Sequence, residues 1–215
     1  MIDLFRNFVV QLGGVEEVVD KHNVVYHNDF ELRDTKACNE CLTKNVSRSG
    51  CCQVIMNITL NNKDWVTVIS WEQILKDINY TIGKRCDYIL SGENKIIFCD
   101  LTCSESSVME PYTNTRGQHA GKRAVAIDQI FETISLMTKH EVLWNNILTR
   151  YEKRGVIGWR EYDDTPNISA NKAARNMQTF MKTPSSMKLQ ITSEQIVASV
   201  KFQIHTIKYP TKYVW

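Results

Sequence analysis

The residues with most to offer chemically are two carboxylates set in otherwise apolar, strand-like sequence. Asp87 stands in the run 85–90, Arg-Cys-Asp-Tyr-Ile-Leu, and Asp100 in the run 95–103, Lys-Ile-Ile-Phe-Cys-Asp-Leu-Thr-Cys. The turn Ser91-Gly92-Glu93-Asn94 joins the two runs, so they read as a strand pair. Side chains alternate along a strand. Asp87 and Ile89 therefore share one face of the first, and Phe98, Asp100, Thr102 and Ser104 one face of the second. Both acids can emerge on the same side of the hairpin. Like charges held close in a buried setting repel, and a shared cation relieves the conflict. Mg²⁺ takes one or two protein carboxylates and completes its shell with water and phosphate. The chemistry this would support is that of an oxygen-bound divalent ion. The purely structural alternative is that Asp87 caps a turn or pairs with Arg85, while Asp100 closes a strand.

A second constellation is Cys38-Asn39-Glu40-Cys41 followed by Cys51-Cys52, in the polar stretch 34–52. Thiolates at Cys38, Cys41, Cys51 and Cys52 could hold a structural Zn²⁺ as a small knuckle. Adjacent cysteines in the second half are equally a loop with free thiols, and both readings stay open. No His-X-Glu stands with a Pro-Cys-X-X-Cys, which excludes a zinc deaminase. Cys86, Cys99 and Cys103 read as packed thiols on the apolar side of the strand pair. Basic residues gather at Lys122-Arg123 and along Lys172, Arg175 and Lys182, where they suit phosphate contacts or simply a solvated helix face. Trp159, Tyr162 and Trp215 could stack on bases, but single aromatics more often serve a core.

The elements that must position these residues follow from periodicity. Residues 4–20 carry Phe5, Phe8, Val9 and Leu12 at helical spacing, interrupted by Gly13-Gly14. The runs 54–60 and 65–69 flank Asn61-Asn62-Lys63-Asp64 and predict a hairpin. Ser70 with Gln73 predicts a capped helix over 71–79. A polar loop over 104–118 leads into a helix striped by Ile127, Ile130, Phe131, Ile134 and Met137. A further helix is expected over 141–154 with Gly155 as its cap, then a basic helix over 168–182. The stretch 196–207 alternates as a half-buried strand, and the apolar end, 209–215, is expected to pack on the body or on a partner.

With strand, turn, strand and helix in this order, the chain from Gly83 to Leu90 and from Lys95 to Thr102 resembles the PD-(D/E)XK nuclease core. The resemblance covers residues 70–139, about a third of the chain. It implies an α/β (α+β) fold with a central mixed β-sheet flanked by helices, in the manner of restriction endonucleases. It also implies Mg²⁺ or Mn²⁺ held by Asp87, Asp100 and the Leu101 carbonyl, with Glu72 as a further ligand and Gln129 on the following helix. Thr102 stands where the family carries a lysine. A hydroxyl has no charge to offer, and Lys122 is the expected replacement, with Lys84 a weaker one.

The expectation is thus a nuclease acting on DNA more readily than on RNA. The rival is a catalytically silent domain of the same architecture, serving as a binding or regulatory subunit. At 215 residues one domain is expected, with the cysteine-rich stretch inserted before a nuclease-like core at 53–139. A net charge of +2 does not by itself point to nucleic acid. No apolar run reaches the length of a membrane span, so no membrane partner is expected. The opening residues lack a basic stretch followed by an apolar one, and the seven cysteines are an odd number. The cytoplasm is the expected location, with a homo-oligomer or partner protein left open.

Overall fold

The computed structural model describes residues 1–33, 54–61, 64–104, 106–114, 117–161, 186–191 and 202–215. Helices α1 (Ile2–Gln11) and α2 (Glu16–Lys21) lead into strands β1 (Asn23–Tyr26), β2 (Phe30–Arg33), β3 (Val54–Thr59) and β4 (Val66–Ile69). Helix α3 (Trp71–Asp77) precedes β5 (Tyr88–Ser91) and β6 (Lys95–Ser104). A short 3-10 turn and the small hairpin β7 (Tyr112–Asn114) and β8 (Gly117–His119) follow. Helices α4 (Lys122–Thr138) and α5 (Glu141–Arg150) come next. Strands β9 (Glu152–Glu161), β10 (Ser186–Ile191), β11 (Phe202–Lys208) and β12 (Lys212–Val214) complete the described elements.

Seven strands form a mixed sheet in the order β1-β4-β5-β6-β9-β11-β10. Strands β6, β9 and β11 run parallel at its centre, and the remaining neighbours are antiparallel. Helices cover one face. Phe5 and Phe8 of α1, Trp71 and Ile74 of α3, and Ile130 and Ile134 of α4 bury there against Ile89, Phe98, Ile157 and Ile204. A three-stranded sheet, β12-β3-β2, covers the other face. Its Leu32, Ile55, Met56 and Tyr213 pack on Leu90, Ile97, Leu101 and Val156. The expected central mixed sheet flanked by helices is therefore present, with a second sheet as its other cover. Among the described residues no helix is long and apolar enough to cross a membrane.

Several elements differ from expectation, each for a packing reason. The Asp64 amide donates to the Asn61 carbonyl at 3.0 Å. Yet β3 and β4 are not a hairpin, because the chain crosses there between layers and each strand pairs within its own sheet. Helix α3 starts where expected, but the Ser70 side chain makes no cap bond, and burial of Trp71, Ile74 and Leu75 holds the helix instead. The helix expected over 141–154 ends at Arg150, and Gly155 lies inside β9. A Cβ on Gly155 would stand 2.8 Å from Ile204 Cγ1, so the glycine serves close packing in place of a cap. Strand β11 is not half-buried, since both of its faces are covered and His205 and Thr206 are buried along with Ile204 and Ile207. The end of the chain packs as expected. β12 pairs with β3, and the Trp215 indole lies against Gly92 and under the Lys95 ammonium. The expected helix at 168–182 and the cysteine-rich stretch 34–52 lie outside the described residues.

Gly158 lies where the two sheets pack against each other. A Cβ there would fall 2.7 Å from Leu101 Cδ2 and 3.2 Å from Met56 Cβ. Gly158→Ala is expected to cost about 1–3 kcal/mol by overpacking. In a thermal scan that is a drop of roughly 2–4 °C per kcal/mol for a domain of this size.

Candidate active site

Tyr88 pairs with Cys99 and Ile89 with Phe98. The pairing ends there, and Asp87 lies at a bend one residue before β5, next to the strand that carries Asp100. A row runs from Asp100 across the sheet, since Asp100 pairs with Ile157 and Ile157 with Thr206. Because Phe98, Ile157 and Ile204 belong to the helix-side core, alternation along β6 puts Asp100 on the helix-bearing face, whereas Asp87 precedes β5 and is placed by its own hydrogen bonds. Asp87 is 7% exposed and Asp100 3%.

Three elements hold Asp87. Its Oδ2 accepts from the Leu101 amide at 2.7 Å. The Glu72 amide, at the start of α3, donates to the Asp87 carbonyl at 3.3 Å. From α4, Gln129 Nε2 donates to the Arg85 carbonyl at 2.8 Å, and Thr133 Oγ1 accepts from the Cys86 amide at 2.9 Å. The Thr133 hydroxyl in turn donates to the Gln129 carbonyl at 2.9 Å. Gln129 is thus a positioning residue for the segment carrying Asp87. Thr133 was not anticipated, although its place one helical turn after Gln129 was readable. Thr133→Val should leave the buried Cys86 amide without its acceptor, at a cost of about 1–3 kcal/mol. A lowered denaturant midpoint with faster exchange of that amide would show it.

The negative charge is felt locally. Burial pushes the Cys86 and Cys99 thiols upward, and the charges of Asp87 and Asp100 push both in the same direction. The two thiols are packed, as expected. They do not share a face, however: Cys86 lies in the helix-side core and Cys99 in the core between the sheets.

Other expected site residues divide sharply. Thr102 continues the face of Asp100 and is half-buried. Lys122 is exposed at the first turn of α4. Arg123, expected as a nucleic-acid contact, is 5% exposed and its guanidinium pairs with Glu110 at 2.7 Å, so its charge is used inside the protein. Lys84 forms a surface ion pair with Asp128 at 2.9 Å. Glu72, expected as a further metal ligand, turns its carboxylate to Lys76 at 3.3 Å on its own helix. Among the described residues no three or more His, Cys, Asp or Glu side chains gather to hold a metal ion. Glu72 therefore does not join Asp87 and Asp100 as a third acid. What remains is a two-carboxylate set, a donor set compatible with Mg²⁺ or Mn²⁺ and too small for a structural zinc. Trp159 is 1% exposed, a core residue in place of a stacking platform. Cys38, Cys41, Cys51, Cys52, Tyr162, Lys172, Arg175 and Lys182 lie outside the described residues.

Compared with protein-family models, with curated proteins and with solved structures, the chain matches none.

Proposed function

We propose that this chain is a metal-dependent nuclease that hydrolyses phosphodiester bonds of DNA, with RNA as the less favoured substrate. The observation that carries the reading is that Asp87 and Asp100 are both nearly buried, Asp100 in β6 and Asp87 one residue before β5, with an Asp87 oxygen on the Leu101 amide of β6 at 2.7 Å. Support comes also from topology: β4, β5 and β6 are antiparallel neighbours, and α4 and α5 then lead the chain to β9, parallel to β6. That order resembles the PD-(D/E)XK core.

In this reading Asp87 and Asp100 hold the divalent ion, and the Leu101 carbonyl is the expected third oxygen. When bound, the ion supplies charge neutralisation on the phosphate and a more acidic water. The protein's own contribution is placement. The Leu101 amide fixes one oxygen of Asp87. Gln129 and Thr133 keep the 85–86 backbone against α4, so the carboxylate is preorganised. Lys122, exposed at the start of α4, is a phosphate contact.

A second reading is a silent domain of the same architecture that binds a protein or nucleic acid without cleaving it. Thr102, which carries no charge, and Glu72, turned to Lys76, favour it. The deciding experiment incubates the purified protein with plasmid, single-stranded DNA and RNA in Mg²⁺ and in Mn²⁺, with calorimetry of metal binding alongside. Cleavage is expected. No cleavage of any substrate together with no metal binding would leave only the silent domain.

A further inference from the structure

The row of side chains beyond the acid pair has a composition that the strands' order alone reveals. Thr102 of β6 pairs with Trp159 of β9, and Trp159 with Lys208 of β11. These are parallel strands, so the three residues stand at the same edge of the sheet. Each lies two positions beyond a member of the Asp100–Ile157–Thr206 row, and alternation turns them to the same face as Asp100. Trp159 Nε1 donates to the Ser104 carbonyl at 3.2 Å, so the indole reaches from β9 across to β6. The Lys208 ammonium lies 4.6 Å from the centroid of that ring. Thus the cation of β11 is carried over the indole toward the strand of Asp100 and Thr102. Trp159 is buried and fixed by its hydrogen bond, whereas Lys208 is half-buried and within reach of solvent.

We infer that Lys208 is the cationic contact for the reacting phosphate, supplied from β11 because β6 offers only Thr102. The inference rests on the nuclease reading. Its physical basis is charge. A phosphodiester approaching two buried carboxylates meets like charge, and one ion shared between two acids does not neutralise acids and phosphate together. A lysine at the same strand edge supplies the missing positive charge. The buried indole beneath it holds the ammonium by cation–π attraction, so less freedom is lost when phosphate arrives. Lys122 approaches from the start of α4 and stays on the solvated outside.

The test compares wild type with Lys208→Met, Lys208→Arg, Thr102→Lys and the double variant Thr102→Lys/Lys208→Met, each on single-stranded and duplex DNA in Mg²⁺. Lys208→Met is expected to lower the cleavage rate roughly a hundredfold, the usual loss for one electrostatic contact to a reacting group. The double variant should recover at least about a tenth of wild-type activity, which a purely structural role for Lys208 would not allow. A second readout needs no ion: affinity for a short labelled oligonucleotide in chelator, measured against salt. There the salt slope should fall by about one phosphate contact in Lys208→Met. Lys208→Met with near wild-type cleavage and an unchanged slope overturns this inference while leaving the nuclease reading intact. A wild-type protein that neither cleaves nor binds DNA sinks both.

Discussion

Asp100→Asn is expected to abolish Mg²⁺-dependent cleavage and to leave the metal-free protein as stable as wild type or more so. The two halves of that result come from one cause. Asparagine keeps the shape of the side chain and removes one charge from a pair that is 7% and 3% exposed. Losing half of a two-carboxylate site should cost several kcal/mol of transition-state stabilisation, about three decades in rate. Without the ion, however, a carboxylate so nearly buried carries a desolvation cost, and neutralising it removes that cost. Thermal scans separate the cases. Saturating Mg²⁺ should raise the wild-type midpoint, by about 2.7 kcal/mol of linkage at a hundred times the dissociation constant. Asp100→Asn should lack that rise. Asp87→Asn should behave similarly toward the ion but lose some stability, because the Asp87 carboxylate also accepts from the Leu101 amide. If Asp100→Asn instead lost several kcal/mol in chelator, Asp100 would be a structural acid, and the site would need another explanation.

The hairpin of β5 and β6 was readable from the chain because two signals agreed. Alternation over 95–103 and a short turn at 91–94 together fixed which residues share a face, and β5 and β6 follow that parity. Helix α4 was readable from its apolar stripe. β9 was not. Its two glycines mimic a cap and a turn, while Val156 and Ile157 are buried on opposite faces and leave no alternation to detect. Its neighbour β11 lies more than forty residues on, so no local pattern could reveal the row that ends in Lys208. The Glu72–Lys76 pair was readable too, since Lys76 stands four residues later and an i,i+4 pair is the default partner on a helix. Lys122 and Arg123 show the same limit at one residue's spacing. Neighbours on a helix point about 100° apart, so one faces solvent and the other enters the protein.

Trp71→Ala is expected to produce the largest loss of stability, about 3–5 kcal/mol. Trp71 is fully buried where α1 meets α3. Its ring stacks on Phe8 with centroids 5.7 Å apart and meets Phe5 edge-on at 5.9 Å. Truncation removes both contacts and leaves a cavity between two helices whose other contacts cannot close it. At roughly 2–4 °C per kcal/mol the midpoint should fall by about 6–20 °C. Trp71→Phe should cost far less, under about 2 kcal/mol. It keeps a ring between Phe5 and Phe8, and it removes an indole N–H that meets no acceptor among the described residues. The consequence reaches the acids, because α3 holds the Asp87 carbonyl through the Glu72 amide at 3.3 Å. Below its lowered midpoint, Trp71→Ala should therefore still bind Mg²⁺, but more weakly than Trp71→Phe. Equal midpoints for the two variants would mean that α1 and α3 do not share a cooperative core, and that Asp87 draws its placement from α4 and Leu101 alone.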